Sequence, residues 1–555
     1  MALGDKLYKR LGIWTGPWTV QRPNTQGTAA NDQLSFTVLS AGAINGGAGN
    51  DKITNDAVIG VATTINGGDG SDQIYGSNSA LGLFETVKGG AGNDYIDGRG
   101  GYDTLDGGAD SDTVSYESSP LTPANPLGLQ LTLGAAGAET IANVNSIAAD
   151  TVKNFENVVG TNSHDTITGN ELANVLIGLA GDDSLDGAGG NDWIEGGIGA
   201  DLLSGGFGND TLAYEVSVGG VTIDLNARPD GFITTASGGD ATGDRVAANF
   251  ENVYGSDAAD TLTGDASANI LNGSGGDDTL NGGLGNDTLF GGDGNDTLNS
   301  GATTEIGTSI DTLFGGRGDD SFVGFGVEGT YYGEAGNDTF TVLTLYRSRF
   351  DGGSGIDTFD ASQRSSAVID LEPGIYKPFQ IPFEEVGLLS SIENVVGSDQ
   401  PPSLHPGDAI TGDEFANRLE GRGGSDAIDG RLGDDVILGG LDKDSLTGGA
   451  GNDRFVYTAI ADSLAGSTSD DIVDFTRGVG LLGDKIDISA IDANGAVAGD
   501  QAFEFIGSRA FDAPGQIRQG VNSSTIEINV NGMSGAEMWI TVQNNVRLQS
   551  SDFIL

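Results

Sequence analysis

The chain has 555 residues, 80 of them acidic and 25 basic, for a formal net charge of −55. So acidic a chain excludes nucleic acid and an anionic membrane as partners, since both call for a Lys/Arg face, and makes cations the natural ones. With no Cys and only His164 and His405, disulfides, thiolate metal sites and most His-based catalysis are excluded as well.

In chain order, residues 1–43 are an N-terminal segment with no unbroken apolar stretch and no small-residue cleavage site, so no cleaved signal peptide is expected. No run of 18 apolar residues occurs anywhere, so no transmembrane segment is predicted. From residue 44 a repeat takes over. Gly-Gly-x-Gly-x-Asp starts at Gly46, Gly67, Gly89, Gly196, Gly205, Gly282, Gly291, Gly315, Gly352 and Gly448. With 94 Gly in the chain, random placement would give on the order of 0.3 copies, so composition does not explain it. Degenerate copies lie between in nine-residue register, and the unit is Gly-Gly-x-Gly-x-Asp-x-apolar-x.

Four blocks carry it, at 44–115, 160–213, 255–360 (interrupted) and 408–456. Between them lie excursions at 116–159, 214–254 and 361–407, each with an alternating segment that reads as a half-buried strand: Leu129–Leu133, Val221–Leu225 and Ala367–Leu371. They are expected to form small β lids. A Glu-Asn-Val motif, at Glu156, Glu251 and Glu393, recurs in them just before or near the next block.

The unit has a chemical reading. Gly at three of the first four positions allows positive φ and a tight turn with inward carbonyls, and Asp at the sixth adds a short carboxylate. The last three residues make a brief strand whose central apolar residue, as at Leu185, Ile194, Leu203 and Leu212, fills a core. Two units make an 18-residue coil, and stacked coils pair in parallel. The candidate metal ligands are Gly46, Gly49, Asp51, Gly67, Asp72, Gly89, Asp94, Asp103 and Asp112 in the first block, and Asp183, Asp192, Gly196, Asp201, Gly205 and Asp210 in the second. The third supplies Asp260, Asp278, Gly282, Asp287, Gly291, Asp296, Gly315, Asp320, Asp338, Gly352 and Asp357, and the fourth Asp426, Asp435, Asp444, Gly448 and Asp453. All offer hard oxygen, which suits Ca²⁺ better than Mg²⁺ because Ca²⁺ accepts six to eight flexible ligands. The count expected is on the order of 15–20 ions. Asn174, Asn269 and Asn417 replace Asp in the second nonamer of a block, and calcium there should be weak or absent.

The repeat resembles the RTX (haemolysin-type) calcium-binding nonapeptide family. That resemblance implies an all-β fold of tandem parallel β-rolls, a β-solenoid bound to Ca²⁺ and interrupted by small β excursions. Residues 457–555, with Asp470-Asp-Ile-Val-Asp-Phe475, Asp484-Lys-Ile-Asp-Ile-Ser489 and a terminal Asp552-Phe-Ile-Leu555, resemble the C-terminal secretion domain of serralysin-type metalloproteases. This implies bacterial type I secretion, with the exporter as a partner and an extracellular or cell-surface location. The protease domain is missing: no His-Glu-x-x-His, Gly-x-Ser-x-Gly or phosphate-binding loop occurs. His164 and His405 read as exposed turn residues, and the pairs Asp182-Asp183 and Asp319-Asp320 as calcium-site residues before acid/base pairs. The function read from the sequence is a secreted, non-enzymatic calcium-binding protein of the cell surface or matrix. The alternatives are a glycan-active enzyme with a site in an excursion, or an adhesin for cell-surface glycan that stacks sugars on Trp14, Trp18, Trp193 or Trp539.

Overall fold

The structure is a computed structural model, and it describes the chain outside residues 1–9, 12–18, 21–27, 37–41, 57–62, 79–83, 120–126, 145–146, 302–309, 325–327, 344–347, 365, 379–386, 400–406, 479–481, 496–498, 521–522, 533–534 and 545. Two compact units, Met1–Leu284 and Gly285–Leu555, divide it. Both are all-β, their named elements being strands and three short 3-10 turns. Among the described residues no helix is long and apolar enough to cross a membrane.

In the first unit each short strand pairs in parallel with the strand one coil on. Val175 faces Trp193 and Ser184 faces Leu202, both 18 residues along, as two nonamers per coil require. The strands are short because every x-apolar-x triplet runs into the next Gly turn. Their central residues stack inward: Ile53, Ile74, Ile96 and Val114 on one side and Ile65, Val87 and Leu105 on the other are all 0% exposed. Burying each such side chain contributes roughly 1.5–3 kcal/mol, and this apolar row holds the coils together.

The excursions are not lids. The first folds as Leu127–Thr132, Thr140–Val144 and Ile147–Lys153, successive strands antiparallel. Its outer members pair in parallel with His164–Thr168 and Thr104–Ala109, so the meander is spliced into one side of the roll. The other side continues without a gap through Asn157–Val159, which pairs with Thr113–Ser115 and Val175–Ala180. The second excursion is spliced more loosely: Thr222–Ala227 pairs antiparallel with Ile233–Ser237 and in parallel with Thr261–Thr263, Arg245–Val246 pairs in parallel with Leu202–Ser204, a Phe232–Ala247 bridge links the two parts, and Asn252–Tyr254 continues the other side. Backbone groups of a lid would need their own partners, whereas a spliced strand finds them in the ladder already present.

The second unit repeats the scheme. Ala367–Asp370, Ile375–Pro378 and Gly387–Ser390 form its meander, between Arg349–Asp351 and Ala409–Thr411, while Asn394–Val396 bridges the opposite side. The C-terminal residues grow from the end of this roll. Asp470–Ile472 and Lys485–Asp487 extend its two sides in parallel, and Gln516–Gln519, Thr525–Asn529 and Met538–Val542 form an antiparallel sheet beside them. The last strand, Phe553–Ile554, pairs in parallel with Lys485–Asp487.

Candidate metal centres

The repeat aspartates are all inside, none more than 2% exposed. Most set one carboxylate oxygen into a backbone ladder, where Oδ1 accepts from the N–H of a residue one coil earlier, commonly an aspartate and in Asp192 and Asp435 an asparagine. Asp165 N–H donates to Asp183 at 2.7 Å, Asp183 to Asp201 at 2.8 Å, and Asp192 to Asp210 at 2.8 Å. The same bond joins Asp51 to Asp72, Asp72 to Asp94, Asp94 to Asp112, Asp260 to Asp278, Asp296 to Asp320, Asp320 to Asp338, Asp338 to Asp357, Asp426 to Asp444 and Asp435 to Asp453. Asp103 accepts from Glu85, and Asp287 donates to Asp311.

The second oxygen is different. Oδ2 is buried with no hydrogen-bond partner in Asp51, Asp72, Asp94, Asp103, Asp112, Asp183, Asp192, Asp201, Asp210, Asp320, Asp338, Asp357, Asp426, Asp435, Asp444 and Asp453. It leans over the first Gly of its own nonamer. A Cβ on Gly178 would collide with Asp183 Oδ2 and lie 2.5 Å from the Gly196 carbonyl oxygen of the next coil. Carboxylate and carbonyl from successive coils therefore face one spot, and only Gly leaves it open. Burial, reinforced by like charges along the ladder, pushes Asp94 and Asp426 up to about 9, Asp183 and Asp112 to about 8, and Asp201 to about 7. An orphaned carboxylate oxygen in such a place wants a proton or a cation. Among the described residues no three acidic or His side chains converge on one point, so a cation there would be met by a carboxylate together with backbone carbonyls. That all-oxygen donor set fits Ca²⁺, which a bound ion would meet as a counter-charge with flexible coordination.

Whether Oδ2 is left open depends on the second residue of the turn. Gly197 and Gly206 have φ of 92° and 107°, and Leu179 and Ala188 take 81° and 71° in the same role. Thr161, Ser256 and Ser398 do not adopt that conformation, and their N–H groups donate at 2.6 Å to Oδ2 of Asp165, Asp260 and Asp408. Asp260, among the expected ligands, therefore differs from the other repeat aspartates: its Oδ2 accepts from Ser256 N–H, and its Oδ1 from Val221 N–H and Ser256 Oγ. The Asn turns are filled in the same manner. Asn174 Oδ1 accepts from Asn170 N–H at 2.7 Å while its Nδ2 donates to the Glu156 carbonyl at 2.7 Å. Asn269 and Asn417 donate likewise to the carbonyls of Glu251 and Glu393. An Asp in these places could not make the amide bond.

Other ladder acceptors lie outside the nonamer consensus. Asp150 accepts from Asp103, Asp244 from Asp201, Asp470 from Asp444 and Asp484 from Asp453. Their signal is only the second half of the unit, Asp-x-Val or Asp-x-Ile, without the Gly turn before it. Asp182 and Asp319 point outward and cap the backbone of Ala200 and Asn337, away from their buried neighbours. His164, expected to be an exposed turn residue, is instead the partly exposed first residue of the His164–Thr168 strand, and its Nδ1 accepts from Asp182 N–H at 2.6 Å. Trp193 is 9% exposed and its ring is covered by the Arg10 guanidinium at 3.5 Å, which removes it as a sugar-stacking face. Trp539 is half-buried, while Trp14, Trp18 and His405 lie outside the described residues.

Two families match this chain. The RTX calcium-binding nonapeptide repeat matches residues 62–80, 82–114, 159–194, 177–212, 254–289, 273–303 and 306–340. The peptidase M10 serralysin C-terminal family matches residues 422–555, beginning within the last roll block. Against curated proteins the chain has no match.

Proposed function

We propose that this chain, which carries RTX calcium-binding nonapeptide repeats and ends in a serralysin C-terminal domain, is a non-enzymatic calcium-binding protein that leaves the cell by type I export and acts at the cell surface or in the extracellular matrix. The observation that carries the reading is the array of buried Asp Oδ2 atoms without a partner, coil after coil, many of them beside a backbone carbonyl of the next coil. Cytosolic calcium is too scarce for sites of extracellular affinity, roughly 10⁻⁴–10⁻³ M, so the rolls assemble outside. There the ordered chain presents a rigid, acidic, calcium-loaded surface to whatever anchors it. The test is to remove calcium and add it back to the purified full-length protein, following far-UV circular dichroism and binding to the producing cells. Strand signal and cell binding should appear together on calcium addition. Strand signal that survives a chelator unchanged would defeat the reading.

A further inference from the structure

We propose that Glu156, Glu251 and Glu393 are divalent-cation ligands, each closing an array of sites by sharing an ion with the last aspartate before it. The inference rests on the calcium reading above and extends it to residues outside the nonamer. At each return from an excursion the glutamate takes the place of an aspartate in the ladder. Glu156 Oε2 accepts from Asp112 N–H at 2.9 Å, Glu251 Oε2 from Asp210 at 2.8 Å and Glu393 Oε2 from Asp357 at 2.8 Å. The aspartate it follows is in every case 0% exposed, with an Oδ2 that has no partner.

A carbonyl completes the correspondence. In a regular turn the atom facing the first Gly is the next coil's Gly carbonyl; here it belongs to the residue two before the glutamate. A Cβ on Gly205 would lie 2.6 Å from Asp210 Oδ2 and 2.7 Å from the Asn249 carbonyl oxygen. Gly107 faces Asp112 and Asn154, and Gly352 faces Asp357 and Ser391, in the same way. The return strand arrives without a Gly turn, so its carboxylate must reach further, and Glu is longer than Asp by one CH₂. After burial, the Glu156 and Glu393 charges are among those that push Asp112 and Asp357 up, which places the two carboxylates within each other's field. On the far side the array stops: the next rung is Asn174, Asn269 or Asn417, whose amide already bonds the glutamate's own carbonyl.

Glu251→Gln separates a ligand from a mere ladder acceptor, because the Gln carbonyl oxygen still accepts the Asp210 N–H while the charge is lost. Bound calcium is counted on the full chain by equilibrium dialysis with atomic spectroscopy, alongside Asp210→Asn and Asp260→Asn, and circular dichroism at saturating calcium confirms folding. Glu251→Gln and Asp210→Asn should each lower the count by about one ion, and Asp260→Asn by none. Glu156→Gln and Glu393→Gln repeat the measurement at the other two returns. A wild-type count and affinity in the folded Glu→Gln proteins overturns the assignment while leaving the calcium reading intact. A wild-type chain that binds no calcium overturns both.

Discussion

One torsion decides whether an aspartate of this repeat keeps an open carboxylate oxygen. With the second turn residue at positive φ, as at Gly206, the Asp210 Oδ2 is left open; with Ser256 in that role, Asp260 is bonded at both oxygens. Gly206→Ser should therefore cost calcium at Asp210 even though the carboxylate is untouched, both through backbone strain of about 1 kcal/mol or more and through loss of the inward turn. Calcium counting that finds Gly206→Ser as loaded as wild type would contradict this. The same open oxygens set a pH dependence. In the calcium-free chain Asp94, Asp183 and Asp201 have folded values of about 9, 8 and 7, above the ordinary 3.8. Groups raised in this way support the fold fully below about pH 4 and withdraw that support as pH climbs through 7 to 9. Calcium-depleted protein should thus gain strand signal on going from pH 8 to pH 5, with protons standing where cations would. An equal signal at both pH values would show that these carboxylates are not buried in the calcium-free roll.

The excursion is the element that sequence reading served least well, and its anatomy explains why. Strands at Leu127–Thr132, Thr222–Ala227 and Ala367–Asp370 were legible from alternation, as were the coils from nine-residue register. What alternation cannot show is the partner, since a lid strand and a spliced strand have the same one-sided burial. The ladder roles of Asp150 and Asp244 were hidden for a related reason: their turns are replaced by whole meanders, so the Gly signature is absent and only long-range pairing identifies them. Glu156, Glu251 and Glu393 were visible as a recurring motif, but their carboxylates could be placed only once Asp112, Asp210 and Asp357 were known to lie opposite. The meander is tied at both ends, and Tyr214 shows how: its hydroxyl donates to Asp244 Oδ2 at 2.9 Å, joining the start of the excursion to its return. Tyr214→Phe should cost about 1–3 kcal/mol by stripping a buried carboxylate of its donor. A lowered melting temperature with an unchanged calcium count is the expected result; a lost ion would mean that Asp244 binds metal through that oxygen.

For the molecule as a whole, 25 basic residues cannot neutralise 80 acidic ones, so acidity, folding and export are one problem. Inside the cell the chain should be extended and fit to thread, with no Cys to lock it. The terminal Asp552-Phe-Ile-Leu555 makes the order of events testable. Once folded, Asp552 is 2% exposed and bonded to Arg477 Nε at 2.8 Å, and Phe553–Ile554 is already paired with Lys485–Asp487. An exporter that reads this motif must read it before the strand forms. Arg477 then matters only afterwards, so Arg477→Ala should lower the melting temperature of the secreted protein while leaving its export unchanged. Substituting Asp552 and Phe553 should impair export itself, and deleting Asn452–Leu555 should leave the chain inside the cell. Secretion assays on culture supernatants distinguish these cases. Export that falls with Arg477→Ala as much as with the terminal substitutions would mean that the exporter reads a folded domain, and the truncated chain appearing outside at normal levels would place the signal elsewhere.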